Sequence, residues 1–244
     1  MGIAGGSDRN GGGMKTTSVR TRIKFCGFTR AGDVRLACEL GVDAIGLVFA
    51  EGSPRKLQVE EARALRQGVM PLVSVVALFM DNPPEQAREV VRILRPNVLQ
   101  FHGNEDDSFC RSFGLPYIKA IPMGEGGGID PLAMHARWPH ASAFLFDGHI
   151  AGGQGGSGRT FDWARLPADS TKPVMVAGGL SIDNVHGLVT TRAPWAVDVA
   201  SAIESAPGIK DGDKMRKFVA EVHRADCENE HESGYRWPTP GGCG

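Results

Sequence analysis

An excess of either charge is missing from this chain: 27 lysines and arginines stand against 28 aspartates and glutamates, a formal net charge of -1. No overall field draws it to nucleic acid or to an anionic membrane, so any anion it binds must be held by a local site. Cysteine is scarce. The five thiols, Cys26, Cys38, Cys110, Cys227 and Cys243, are odd in number and show no C-x-x-C spacing, which argues against a disulfide framework or a structural zinc site and makes a reducing cytoplasm the default. Long apolar runs are absent as well. The most apolar window, Val69 to Met80, contains Pro71 and Ser74 and is too short to cross a bilayer as a helix. Met1 to Ser18 is glycine-rich and polar and lacks the apolar stretch of a secretory signal.

What the chain does have is a repeated alternation. Short apolar runs end in glycine or polar residues, and each is followed by a stretch whose apolar residues recur at helical spacing. The first run, Arg22-Ile23-Lys24-Phe25, stops at Cys26-Gly27-Phe28-Thr29; the others are 44–49, 73–79, 98–101, 117–121, 143–146, 174–177 and 196–199. Val34, Ala37, Cys38 and Gly41 form a stripe on a helix that Asp33 is expected to cap. Pro84 suits the first turn of a helix carrying Ala87, Val90, Val91 and Leu94, and Met215, Phe218, Val219 and Val222 mark the last helix. Eight strands with about eight helices predict a single (β/α)8 TIM barrel over residues 21–225, with flexible tails at 1–20 and 226–244. A doubly wound open sheet is the rival, but it usually carries a phosphate loop directly after its first strand.

In a barrel, the residues that close the strands meet at one mouth although they are scattered in sequence. Here they are Cys26, Arg55, Asp81, His102, Asp147, Gly178-Gly179 and Ser201. A cysteine is a base or nucleophile only as thiolate, which needs an electropositive, partly open setting. The plainer reading of a lone cysteine is a silent core residue, and Cys38 and Cys110 are assigned that way. Asp147 ends a strand and can exchange a proton across the mouth from Cys26; the plainer reading is a loop cap. His102 can bond a substrate or hold a loop carbonyl. Arg55, in the rigid turn Ser53-Pro54-Arg55, can grip a carboxylate or lie solvated. Gly153 to Gly158 matches G-x-G-x-x-G but does not open a long helix straight after a strand, so a nicotinamide cofactor is rejected. Bare amides at Gly155, Gly156, Ser157 and Gly158, beside Gly178-Gly179 and Ser201, still suit a phosphate.

Several motifs in order resemble the phosphoribosylanthranilate isomerase family of tryptophan biosynthesis. They are Lys24-Phe25-Cys26-Gly27, Gly46-Leu47-Val48-Phe49 with Ser53-Pro54-Arg55, and Leu99-Gln100-Phe101-His102-Gly103. Gly155-Gly156-Ser157-Gly158 with Phe161-Asp162-Trp163, Ala177-Gly178-Gly179-Leu180, and Val197-Asp198-Val199 leading to Pro207-Gly208-Ile209-Lys210-Asp211 complete the set. The resemblance covers about Arg22 to Arg224. It implies an Amadori rearrangement of N-(5-phosphoribosyl)anthranilate to 1-(2-carboxyphenylamino)-1-deoxyribulose 5-phosphate, with no metal or organic cofactor. It also implies that Cys26 is the general base at the sugar C2, Asp147 the general acid at the ring oxygen, and Arg55 the holder of the anthranilate carboxylate.

The glycine loops and Ser201 would hold the phosphate, with His102 as a further substrate contact. The expected partner is thus a small phosphosugar-anthranilate substrate, not nucleic acid or a membrane, and the expected state a cytoplasmic monomer or homodimer. One departure touches the phosphate end: Val199-Ala200-Ser201-Ala202 stands where the family usually has Val-Ser-Ser-Gly. Among rival phosphosugar barrels, a histidine-pathway aminoaldose isomerase would carry aspartate in place of Cys26. An aldolase would need a Schiff-base lysine on a strand, for which Lys119 is the candidate. A decayed barrel would bind phosphate without turnover.

Overall fold

The computed structural model describes residues 20–124, 130–149 and 160–233. Its strands are short and apolar on both faces because both faces are covered, one by the barrel interior and one by helices. They are β1 (Arg22–Cys26), β2 (Ala44–Val48), β3 (Ser74–Phe79), β4 (Val98–Phe101), β5 (Tyr117–Pro122), β6 (Ala143–Asp147), β7 (Val174–Ala177) and β8 (Ala196–Val199). All eight pair in parallel and in sequence order, and β8 returns to pair with β1, closing the barrel. The expected fold class is the observed one.

Alternation along each strand decides where every side chain goes. Inward positions build a small plug, Ile118, Ala120, Ala143, Leu145, Met175, Ala177 and Ala196, and above it Cys26, Val48, Ala50 and Leu78. Outward positions such as Ile23, Phe25, Leu47, Phe79 and Phe101 join the helices in one large shell. Phe49, Phe79 and Phe101 stack in series across neighbouring units at centroid spacings of 5.6 and 5.8 Å. Each such buried ring contributes about 1.5–3 kcal/mol by leaving water.

The outer layer holds α1 (Ala31–Glu39), α2 (Val59–Arg66), α3 (Pro84–Leu94), α4 (Asp107–Arg111), α5 (Pro131–Arg137), α6 (Val185–Arg192) and α7 (Gly212–Ser233). Most of the predicted stripes are buried: Val34, Ala37 and Cys38 on α1, Ala87, Val90 and Leu94 on α3, and Met215, Phe218, Val219 and Val222 on α7; Val91 is half-buried, and Gly41 lies exposed in the turn beyond the end of α1. Pro84 opens α3 as expected.

Four details differ from the expectation. Asp33 lies inside α1, where Arg30 is the cap residue, and its carboxylate instead binds the Arg30 side chain and the Lys210 amide. Between β6 and β7 the described residues hold only a 3-10 turn, Trp163–Arg165, capped by Asp162; Pro167 follows at once and prevents its growth into a helix. After β8 an antiparallel hairpin, β9 (Glu204–Ala206) with β10 (Ile209–Lys210), crosses the rim. Finally, α7 runs on to Ser233, past the expected barrel end at 225. Cys227 on α7 is disulfide-bonded, whereas Cys26, Cys38 and Cys110 are free thiols. Among the described residues no helix is long and apolar enough to cross a membrane.

Candidate active site

The inward parity that fills the barrel core also carries functional side chains to its upper rim. Lys24 and Cys26 on β1, Gln100 at the end of β4 with His102 beyond it, Asp147 on β6 and Asp198 on β8 all occupy inward positions. A cavity at this rim is lined by Cys26, Arg55, Gln100, His102, Asp147, Gly178, Gly179, Asp198 and Ser201. Of the residues expected at the mouth and lying among the described residues, all but Asp81 are therefore in one place. Gly155, Gly156, Ser157 and Gly158 lie outside the described residues.

On the β1 side Cys26 sits among cations. Lys24 forms a buried pair with Asp198 at 2.6 Å, and its charge also acts on Cys26. Lys210 reaches in from the hairpin, donating from Nζ to the Cys26 carbonyl at 2.5 Å, the Ala200 carbonyl at 3.1 Å and Glu204 Oε1 at 2.8 Å. Burial pushes the Cys26 thiol above its ordinary pKa; Lys24 and Lys210 pull it down, Asp198 pushes it up, and burial wins. At rest Cys26 is a thiol. Its Sγ also occupies the space where a side chain on Gly46 would begin, since a Cβ there would lie 2.6 Å from it. Only glycine on β2 leaves this room.

Arg55 extends over the same side. Its Nε and one Nη donate to the two oxygens of Glu204 at 2.8 and 2.6 Å, a fork grip that leaves the other Nη clear of Glu204. Burial alone would raise the Glu204 carboxyl, but the bonds from Arg55 and Lys210 bring it below its ordinary value. Burial likewise takes the Lys210 ammonium down, against the pull of Glu204.

On the opposite side Asp147 is surrounded by histidines. His149 lies 3.1 Å away through Nδ1 and donates its backbone N–H to Oδ1 at 3.0 Å; His102 Nε2 is 3.5 Å from Oδ2. Burial alone would raise this carboxyl, yet the bonds from His102 and His149 hold it well below the ordinary carboxylate range. Gly178, at φ +77°, runs so close that a Cβ would stand 2.1 Å from the Gly148 amide and 2.6 Å from Asp147 Oδ1.

Two strand-end residues do other work. Asp81 does not line the cavity; it adopts φ +53° and accepts from the Asn104 amide at 2.7 Å, fixing a rim loop. Lys119 occupies an outward position on β5, against Trp138, where it donates to the carbonyls of Phe101 and Gly103 and pairs with Glu105 at 3.1 Å. It cannot reach the cavity, which removes the aldolase alternative. Cys38 and Cys110 are core residues as read, and burial pushes Cys110 up to about 12.

The family model of N-(5'phosphoribosyl)anthranilate (PRA) isomerase matches residues 23–221. The chain belongs to that family. Among curated members, the N-(5'-phosphoribosyl)anthranilate isomerase of Xanthomonas euvesicatoria is 58% identical over 220 residues, covering 88% of this chain and 99% of the relative. Among solved structures, the phosphoribosyl anthranilate isomerase of Thermus thermophilus superposes with a TM-score of 0.74 at 36% identity, covering 84% and 99% of the two chains. Another phosphoribosyl anthranilate isomerase, 30% identical with a TM-score of 0.71 over 84% of this chain and 99% of its own, was solved with reduced 1-(o-carboxyphenylamino)-1-deoxyribulose 5-phosphate bound.

Within this PRA isomerase barrel, sequence reasoning missed Lys24, Gln100, His149, Asp198, Glu204 and Lys210. Lys24 and Asp198 carried a signal: a charged residue at an inward position of a barrel strand must have a buried partner. His149 and Glu204 carried none, because only the fold brings them to Asp147 and Arg55.

Proposed function

We propose that this chain isomerises N-(5'-phosphoribosyl)anthranilate, with Cys26 and Asp147 moving the protons. The observation that carries the reading is their juxtaposition: two buried proton-exchanging groups line one cavity in a chain of this isomerase family. Asp147 protonates the ring oxygen and the sugar opens; Cys26 then takes the proton from C2, and the enolamine collapses to the ketose. No proton is gained or lost overall.

The resting environment adds a condition. Burial keeps Cys26 protonated and the histidines keep Asp147 ionised, so the working pair, thiolate and carboxylic acid, holds the same proton in the reverse arrangement. Only the reversed fraction turns over, and the pH profile is bell-shaped because turnover needs one group deprotonated and the other protonated. Arg55 offers the Nη edge that Glu204 leaves clear to the anthranilate carboxylate. Gly178 and Gly179, both at positive φ, present backbone to the phosphate beside Ser201.

The test is turnover of freshly generated phosphoribosylanthranilate, followed by loss of its anthranilate fluorescence. Steady turnover by the parent, with Cys26→Ser and Asp147→Asn both disabled, supports the reading. An inactive parent that still binds a product analogue overturns it in favour of a barrel kept for binding.

A further inference from the structure

His102, Asp147 and His149 make a triangle that hydrogen bonding cannot fully satisfy. His102 Nε2 lies 3.3 Å from His149 Nδ1 and 3.5 Å from Asp147 Oδ2, and His149 Nδ1 lies 3.1 Å from Asp147 Oδ1. Each ring nitrogen presents either one hydrogen or one lone pair to the triangle. If both carry hydrogens, the two N–H groups face one another; if either does not, its lone pair faces the carboxylate. Two of the three contacts can be hydrogen bonds at once, but never all three.

A cation at the centre accepts a lone pair from every corner. The atoms offered by these three residues lie within 4.8 Å of one another, and all three residues are buried. Ligands about 2.0–2.1 Å from a tetrahedral zinc ion stand roughly 3.3 Å apart; the two ring nitrogens have that spacing, 3.3 Å, and each lies near its own oxygen of Asp147, Oδ2 at 3.5 Å from His102 and Oδ1 at 3.1 Å from His149. Two imidazoles and one carboxylate are the donor set of zinc and its neighbours, not of magnesium or calcium. The outer contact agrees as well. Gln100 lies 3.2 Å from His102 Nδ1, and its Oε1 is buried with no partner among the described residues. A half-turn of that amide lets the oxygen accept Nδ1–H, the arrangement that leaves Nε2 as a metal-facing lone pair.

We propose that His102, Asp147 and His149 form a binding site for a divalent transition-metal ion of the zinc type, and that occupation of this site switches the enzyme off. Three corners come from the protein, and the fourth faces the cavity that His102 and Asp147 line. The inhibition, though not the binding, rests on the reading of Asp147 as a proton carrier: a carboxylate coordinated to metal cannot exchange its proton. Binding needs unprotonated histidines, so it weakens as pH falls.

The test uses the whole chain, with zinc uptake by equilibrium dialysis and cobalt as a spectroscopic probe. The expected result is one zinc per chain, a tetrahedral cobalt visible spectrum, no displacement by magnesium, and inhibition of turnover that a chelator reverses. His149→Gln, checked for native melting in chelator, should bind at least about a hundredfold more weakly, since losing even an outer partner costs 10–100-fold. His140→Gln, a surface histidine beside Asp107, should bind as the parent does. His149→Cys restores a ligand and should add a thiolate charge-transfer band to the cobalt spectrum, a gain that a packing role cannot produce. No stoichiometric uptake by the parent, or undiminished uptake by a folded His149→Gln, overturns the site. If zinc binds there but turnover is unchanged, the site stands and Asp147 is not the proton carrier.

Discussion

The two sides of the mouth suffer the same loss of water and answer it differently. Cys26 and Asp147 are both buried, and burial raises the pKa of each. On the Asp147 side the donors point at the group itself, through both histidines and the His149 amide, and their bonds outweigh burial. On the Cys26 side two lysines stand near, but their hydrogen bonds go mainly elsewhere, Lys24 to Asp198 and Lys210 to Glu204 and two carbonyls. Nearby charge is therefore a weaker lever than a donated hydrogen bond. One fold holds Cys26 as the protonated thiol and Asp147 as the ionised carboxylate.

The largest expected effects break that pairing directly. Cys26→Ser and Asp147→Asn should each lower kcat at least about a hundredfold, the scale of a lost general acid or base. If either retains a tenth of parental turnover, the two-sided reading fails.

Next comes the anchor that draws the charges of Arg55 and Lys210 to itself. Glu204→Gln removes the partner of Arg55 and Lys210 and should cost about 3 kcal/mol in urea denaturation, as expected for breaking a buried ion pair. It should also release Lys210 toward Cys26 and speed alkylation of that thiol. Unchanged alkylation would mean that Lys210 has no influence on the cysteine.

Smaller is the effect of crowding the other side. Gly178→Ala places a Cβ against the Gly148 amide at a positive φ and should destabilise the fold by roughly 1–3 kcal/mol, with turnover falling as Asp147 is displaced.

The pH dependence then separates the two groups. A carboxyl depressed in the folded state stabilises it above the unfolded value of about 3.9, and that contribution fades as pH drops below it. The parent should therefore lose stability on acidification more steeply than Asp147→Asn does. Equal slopes would show that the histidines do not hold Asp147 ionised. The smallest effect belongs to the phosphate end, where Ala200→Ser restores a hydroxyl and should lower KM by about tenfold or less, the net worth of one ordinary hydrogen bond.

Legibility in the sequence followed the range of the interactions. Cys26, His102 and Asp147 stood out because each closes an apolar run, and in a barrel all such ends converge; Arg55 was legible from its proline-stiffened turn. Asp81 obeyed the same rule and misled, since its backbone enters the left-handed region and turns the carboxylate to Asn104. Lys119 shows the limit of reading strand position without parity: one residue earlier or later on β5 it would have faced the interior.

By itself the sequence determined the barrel, its strand order and the residues at its rim, because alternating apolar runs and helical stripes are local patterns that bury in one way. Only the tertiary structure decided what those residues can do. The hairpin that brings Glu204 and Lys210 across to Arg55 and Cys26, and the turn that sets His149 against His102, join residues 149, 184 and 47 positions apart. Protonation in a buried site depends on such contacts, and no pattern along the chain specifies them.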